Sequence, residues 1–258
     1  MAIVLLRTGL NNEDLASTGI SHLWNLGYGA VNIESLIDLR LSTHRDGIMA
    51  IVLVVNAPQA IISFLFVTYN GLFSCMLLMK EWNGFAHERK PLRVTVPIGM
   101  QRSSYWLQLP YTYGVPLLIM SGALHWLVSQ SIFLARVIVR DEMGREVLDE
   151  SISTAGYSCI AIISAIILGS IIVLFGLLTG LRTYKEGMPL VGSSSAAISA
   201  ACHRLRNDPD ASTLPVLWGA VEQTGAVGHC CFSSLDVSPP VKGEDYAGEE
   251  EIMNSDLG

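Results

Sequence analysis

Three long stretches without a charged side chain constrain this sequence more than any other feature. No Asp, Glu, Lys or Arg occurs between Asp46 and Lys80, between Arg102 and Arg136, or between Glu150 and Arg182. A bilayer span needs about 20 predominantly apolar residues, and each stretch exceeds that length. A soluble core helix so long would carry charges on its solvent face. Composition agrees, since half of the 258 residues are hydrophobic and only 15% are charged, too few to cover a soluble surface of this size. The expectation is an all-α integral membrane fold. It comprises a three-transmembrane-helix bundle, short interfacial helices and a poorly ordered C-terminal tail.

The organisation follows from these stretches. Residues 1–46 form an N-terminal extramembrane or interfacial segment, and 47–182 a membrane domain. Spans are expected at about 50–79, 113–135 and 158–181, with a basic and aromatic loop at 80–112. Residues 183–258 form a tail, expected to be largely disordered after about 205 because it is rich in Gly, Pro and Ser and lacks periodicity. In the first segment Asn11 and Asn12 are placed to cap a short helix carrying Leu15, Leu23 and Trp24. A second short helix starts at Asn32 and carries Leu36, Ile37 and Leu39. Gly27-Tyr28-Gly29 between them is a turn; it lacks the remaining glycine and lysine of a phosphate loop. Pro58 should kink the first span or mark its start, because proline removes a backbone donor.

Polar residues inside the spans are the candidates for function. Asn56, Gln59, Ser63 and Asn70 recur at helical spacing and gather on one face. In hydrocarbon such groups need partners, so the face should look toward other helices, as interhelical glue or as the wall of a solute path. Ser121, His125 and Ser129 form a second stripe. His125 is the one titratable side chain well inside a predicted span, and intramembrane ionisable groups often mark proton or ion paths. It has no charged partner in any span, which favours a neutral imidazole hydrogen-bonded to a serine or an amide of the first span. The third span carries Ala165, Gly169, Gly176 and Gly180 near one face, a small-residue pattern that lets helix backbones approach closely.

The loop between the first two spans mixes Arg89, Lys90, Arg93 and Arg102 with Phe85, Tyr105 and Trp106. Such a surface suits anionic lipid headgroups, and equally well an ordinary topogenic charge with an aromatic belt. The five cysteines show no disulfide framework. Cys202-His203 and His229-Cys230-Cys231 have metal-ligand chemistry, but adjacent residues point in different directions, so neither a metal nor a cofactor is expected. No nucleophile elbow, His-Glu-x-x-His or paired intramembrane carboxylate occurs, and no catalytic residue is assigned. A net charge of −7 without a long basic cluster gives no ground for a nucleic-acid partner. Expected partners are the lipid bilayer and other membrane helices, of a second copy or of another protein.

Three spans place the 80–112 loop and the tail on one side. That side has Lys80, Arg89, Lys90, Arg93, Arg102, Arg182 and Lys185 near the membrane. The other has Arg40, Arg45, Arg136, Arg140 and Arg145. Seven against five places the loop and tail in the cytosol by the positive-inside rule.

Several runs carry a family resemblance: Tyr69-Asn70-Gly71-Leu72-Phe73, Pro91-Leu92-Arg93-Val94, Gln101-Arg102-Ser103-Ser104-Tyr105 and Leu124-His125-Trp126-Leu127-Val128-Ser129-Gln130-Ser131. Gly187-Met188-Pro189-Leu190-Val191-Gly192-Ser193 and Gly228-His229-Cys230 add to it. The chain resembles an uncharacterised family of fungal multi-pass membrane proteins over about residues 20–235. The resemblance implies no catalytic role. It also implies longer members with further spans before the segment similar to Leu23-Trp24-Asn25-Leu26-Gly27, just upstream of which this chain begins. The leading reading of function is a non-enzymatic membrane scaffold or partner-binding component. The alternative is part of a transporter or channel using the Asn56–Asn70 face and His125, and a membrane-embedded enzyme comes third.

Overall fold

Each charge-free stretch contains a long helix. The computed structural model describes residues 24, 28–30, 36–37, 45–138, 140–141, 143–144, 152–203, 205–221, 228–244 and 246. Helix α1 is Arg45–Gly84, α2 is Tyr111–Ser131, α3 is Cys159–Gly180 and the short α4 is Ser195–Ala201. The first three are long and apolar enough to cross a membrane. At 1.5 Å per residue, α2 and α3, with 21 and 22 residues, measure about 32 Å, close to the thickness of a bilayer's hydrocarbon core. Helix α1, with 40 residues, is about 60 Å long, twice what a crossing needs. It runs through Pro58, which therefore does not mark its start.

The expectation of an all-α fold is corrected by seven strands among the described residues. They are β1 (Leu36–Ile37), β2 (Arg93–Val94), β3 (Arg102–Ser103), β4 (Ile132–Val137), β5 (Ile152–Tyr157), β6 (Leu217–Val221) and β7 (His229–Ser233). They form three small sheets, ordered β1-β5-β4, β2-β3 and β6-β7. Two compact units make up the chain: Met1–Tyr69 with Val115–Thr179, and Asn70–Gly114 with Gly180–Gly258.

In the first unit α2 passes without a break into β4, and β5 leads through Ser158 into α3. The two strands pair antiparallel from Ile132↔Tyr157 to Val137↔Ile152, and the Ser158 N–H donates to the Ser131 carbonyl at 3.0 Å. Residues 132–135, which the sequence reading placed in the second span, are therefore strand. Ile132, Ala135 and Ala155 are buried while Leu134 and Arg136 are exposed, so β4 is most covered where it leaves α2 and opens toward Val137. Phe133 lies against its cross-strand partner Gly156, where an added Cβ would fall 2.6 Å from the ring. The short helix expected around Leu36 and Ile37 is also corrected. Those residues are β1, paired with Gly156 and Ala155 of β5, and the Thr154 hydroxyl donates to the Ile37 carbonyl. A strand edge with free backbone groups outweighs weak helical periodicity over so short a segment. Of the other expected interfacial helix, Trp24 is helical and the rest lies outside the described residues.

The second unit corrects the expectation of a loose tail. Strands β6 and β7 pair from Leu217↔Ser233 to Val221↔His229, over a core of Phe85, Met188, Ala201, Ala211, Val216, Trp218 and Phe232. The missing apolar mass comes from far away in sequence: Phe85 follows α1 directly, and Trp82 packs against the same core. The loop after α1 and the tail are thus one lobe. The Trp218 N–H donates to the Phe85 carbonyl at 2.8 Å, and Lys90 and Val216 exchange backbone bonds at 3.0 Å.

Candidate functional site

Part of the polar stripe of α1 bonds to its own helix. The Asn56 amide donates to the Val52 carbonyl at 2.8 Å, the Ser63 hydroxyl to Gln59 at 3.0 Å and the Ser74 hydroxyl to Asn70 at 2.8 Å. Each bond reaches one turn back along the same helix, which meets the polar group's need for a partner without a second helix. Asn56 and Ser63 are exposed, whereas Gln59 and Asn70 are half-buried. On α2, Ser121 is buried, His125 is half-buried, and the Ser129 hydroxyl donates to the Trp126 carbonyl at 2.7 Å. Among the described residues no hydrogen-bond partner reaches His125.

The close helix contact is made by a residue the sequence reading passed over. Tyr69 of α1 lies across Gly176 of α3, and its hydroxyl donates to the Ile172 carbonyl at 2.8 Å. A Cβ on Gly176 would fall 2.8 Å from Tyr69 Cε2, so the glycine is what lets the ring reach the backbone. The signal was present, since a phenol inside an apolar window needs a partner for its hydroxyl. In the second unit Tyr184, just after α3, donates to the Met76 carbonyl of α1 at 2.9 Å. Gly180 faces the Met76 sulfur, 3.7 Å from where its Cβ would be. Ala165 and Gly169 do not make such contacts: Gly169 has open space where its Cβ would lie.

That space belongs to a cavity of about 550 Å³ in the first unit. Its walls include Pro58, Ile62 and Leu65 of α1, Leu117 and Ser121 of α2, and Ala165 and Gly169 of α3. Of the intramembrane polar stripes, only Ser121 lines it. Tyr69 borders one end, and Ile132 the other, where Ile51, Val55, Ile132 and Ala155 cluster. The space is a cleft rather than a sealed void, since its lining residues Ile61, Leu65, Ile166 and Val173 are themselves exposed. Water is a poor filler, because it needs two to four polar partners. The wall hydroxyls of Ser131 and Tyr69 already donate to Leu127 and Ile172, which leaves that of Ser121 as the one hydroxyl on offer. On another side of α2 and α3, Tyr28 stacks on Trp126 with centroids 5.6 Å apart and shares a 3.0 Å hydrogen bond with Ser164.

Arg89, Lys90 and Arg93 are engaged within the lobe. Arg89 donates to the carbonyls of Ser234 and Leu235, both at 2.7 Å, and to Asp236 at 2.9 Å. Arg93 donates to Glu81 at 2.8 Å and to the Tyr105 hydroxyl at 2.6 Å, with its guanidinium 4.0 Å from that ring's centre. Lys90 pairs with Glu88 at 3.5 Å, and Arg102 is exposed. The lobe's other anchor is Asp208, which no local pattern announced. It is buried and accepts hydrogen bonds from the Ser233 hydroxyl and the Ser234 N–H, both at 2.7 Å, and from the Ser234 hydroxyl at 2.5 Å. Burial alone would raise its pKa, but these bonds hold the carboxyl below its ordinary value. Burial pushes the thiols of Cys230 and Cys231 up to about 11, which leaves them inert at neutral pH.

No curated protein and no solved structure matches the chain significantly. A family model described as "Domain of unknown function (DUF8419)" matches residues 11–251, nearly the whole length over which the helices, the cavity and the lobe are built. The chain belongs to the DUF8419 family.

Proposed function

We propose that this protein is a multi-pass integral membrane component without catalytic activity, which holds a folded lobe at one bilayer surface for a partner. The observation that carries this reading is the union of the 85–110 loop and the tail around one core. Two crossings separate these segments, so a three-span topology brings them to the same side, where they can fold together. The excess of Lys and Arg near that side makes it the cytosolic one. The lobe also presents Val96, Ile98 and Met100, all exposed, on a turn held in place from the tail. The Met100 N–H donates to the Thr213 carbonyl at 2.9 Å, and the Gln101 amide donates to Ser212 at 2.7 Å. A fixed apolar turn of this kind binds partners without first paying for its own ordering.

The test uses cysteines introduced at Val96 and Met143 in a background with both exposed native cysteines removed, Cys75→Ser and Cys202→Ser, labelled in sealed oriented vesicles with an impermeant maleimide. The two positions should react from opposite sides. Reaction of both from one side would overturn the three-crossing arrangement. The same vesicles, loaded with a panel of ions and small solutes, should show no protein-dependent leak; a leak would replace the scaffold reading with a conducting one.

A further inference from the structure

We infer that the cavity among α1, α2 and α3 is a binding site for one hydrocarbon chain of a membrane phospholipid, which enters sideways between α1 and α3. Its walls are almost wholly apolar; of its hydroxyls, those of Ser131 and Tyr69 are committed to backbone carbonyls and only that of Ser121 is left, fewer partners than the two to four a water needs. That leaves an apolar occupant.

Dimensions decide which kind. The α1 wall runs from Ala57 to Tyr69, about 18 Å at 1.5 Å per residue. Spread over that length, 550 Å³ corresponds to about 30 Å² for the centres of atoms lodged there, or about 65 Å² once a radius of about 1.4 Å is added around them. A helix about 10–12 Å across needs about 80–110 Å², more than the slot offers to a helix of a second copy or of a partner. A single flexible chain fits such a slot. The route in is also visible. Ile61 and Leu65 of α1, and Ile166 and Val173 of α3, line the cavity and are themselves exposed, so the mouth opens between those two helices. Small side chains at Ala57, Ala165 and Gly169 recess the walls. The Tyr69 contact with Gly176 closes the slot at one end.

The inference rests on the reading of α1–α3 as spans, and the test separates the two. The full chain is reconstituted in phosphatidylcholine vesicles containing a phospholipid with a mid-chain diazirine, irradiated, and mapped by mass spectrometry. Adducts should concentrate on the half-buried lining residues Ile62, Leu124 and Ile172, several-fold above the exposed residues Phe64, Ile167 and Leu178, which do not line the cavity. Gly169→Leu fills the slot from α3, where nothing obstructs a new side chain, and Ala57→Leu fills it from α1. Either should lower adducts at the lining about tenfold and leave those at Phe64, Ile167 and Leu178 unchanged. Uniform labelling, or lining adducts indifferent to both substitutions, would overturn the site and leave only ordinary surrounding lipid. Absence of adducts at Phe64, Ile167 and Leu178 as well would instead overturn the placement of the helices in the bilayer. If one variant fails to fold, the other and the unsubstituted adduct map still decide.

Discussion

Replacing Gly176 by alanine tests whether the α1–α3 contact is the close approach described above. The new Cβ would lie 2.8 Å from Tyr69 Cε2, 2.8 Å from its hydroxyl oxygen and 3.1 Å from Cζ, so the ring must retreat. Overpacking of this kind costs about 1–3 kcal/mol. Retreat also breaks the 2.8 Å bond to the Ile172 carbonyl, worth about 0.6 kcal/mol on average for an interhelical bond in a membrane and at most about 1.7. Alanine's better helix propensity returns up to about 1 kcal/mol. The net expectation is a loss of about 1–3 kcal/mol. Reversible unfolding in bicelles, followed by circular dichroism, would measure it. Gly122→Ala is the control, because nothing lies within 4 Å of its added Cβ; it should be neutral or slightly stabilising. Tyr69→Phe removes only the hydrogen bond and should lose about 0.6–1.7 kcal/mol. In a Tyr69→Ala background the cost of Gly176→Ala should vanish, since the colliding ring is gone. The reasoning fails if Gly176→Ala behaves like Gly122→Ala, or if its cost survives the removal of Tyr69.

Two further outcomes are expected in the lobe. The folded-state pKa of Asp208 lies below its ordinary 3.8, so its contribution to stability is complete above that value and is lost as pH falls through it toward the lower folded value. Asp208→Asn should cost about 1–3 kcal/mol at pH 7 and flatten the acid limb of a denaturation curve below about pH 4; an unchanged acid limb would refute the role given to the carboxylate. Cys231 is fully buried with its thiol pushed to about 11, so at pH 8 only about one molecule in a thousand is thiolate. Maleimide should modify exposed Cys202 readily and Cys231 only after unfolding, and comparable rates in the native protein would contradict the burial of β7.

What the sequence determined by itself is where the long apolar helices lie. Charged groups are so costly in hydrocarbon that their absence over more than a full span is a local signal, readable without neighbours. The third span, expected at 158–181, is helix Cys159–Gly180. The tertiary structure decided the rest, because the forces involved are non-local. Leu217–Val221 and His229–Ser233 are too short and too mixed to announce a core. They become strands because Phe85 and Met188, far away in the chain, supply the apolar mass they lack. The turn of α2 into β4 at Ser131 depends on pairing with β5, which lies beyond a loop. Polar residues on α1 looked like a surface for other helices, yet Asn56, Ser63 and Ser74 bond to their own helix one turn back. The tyrosine that does cross to α3 is distinguished only by the glycine it meets there. Hydropathy is a sum along the chain, whereas a contact, a cavity or a sheet depends on which distant residues arrive together.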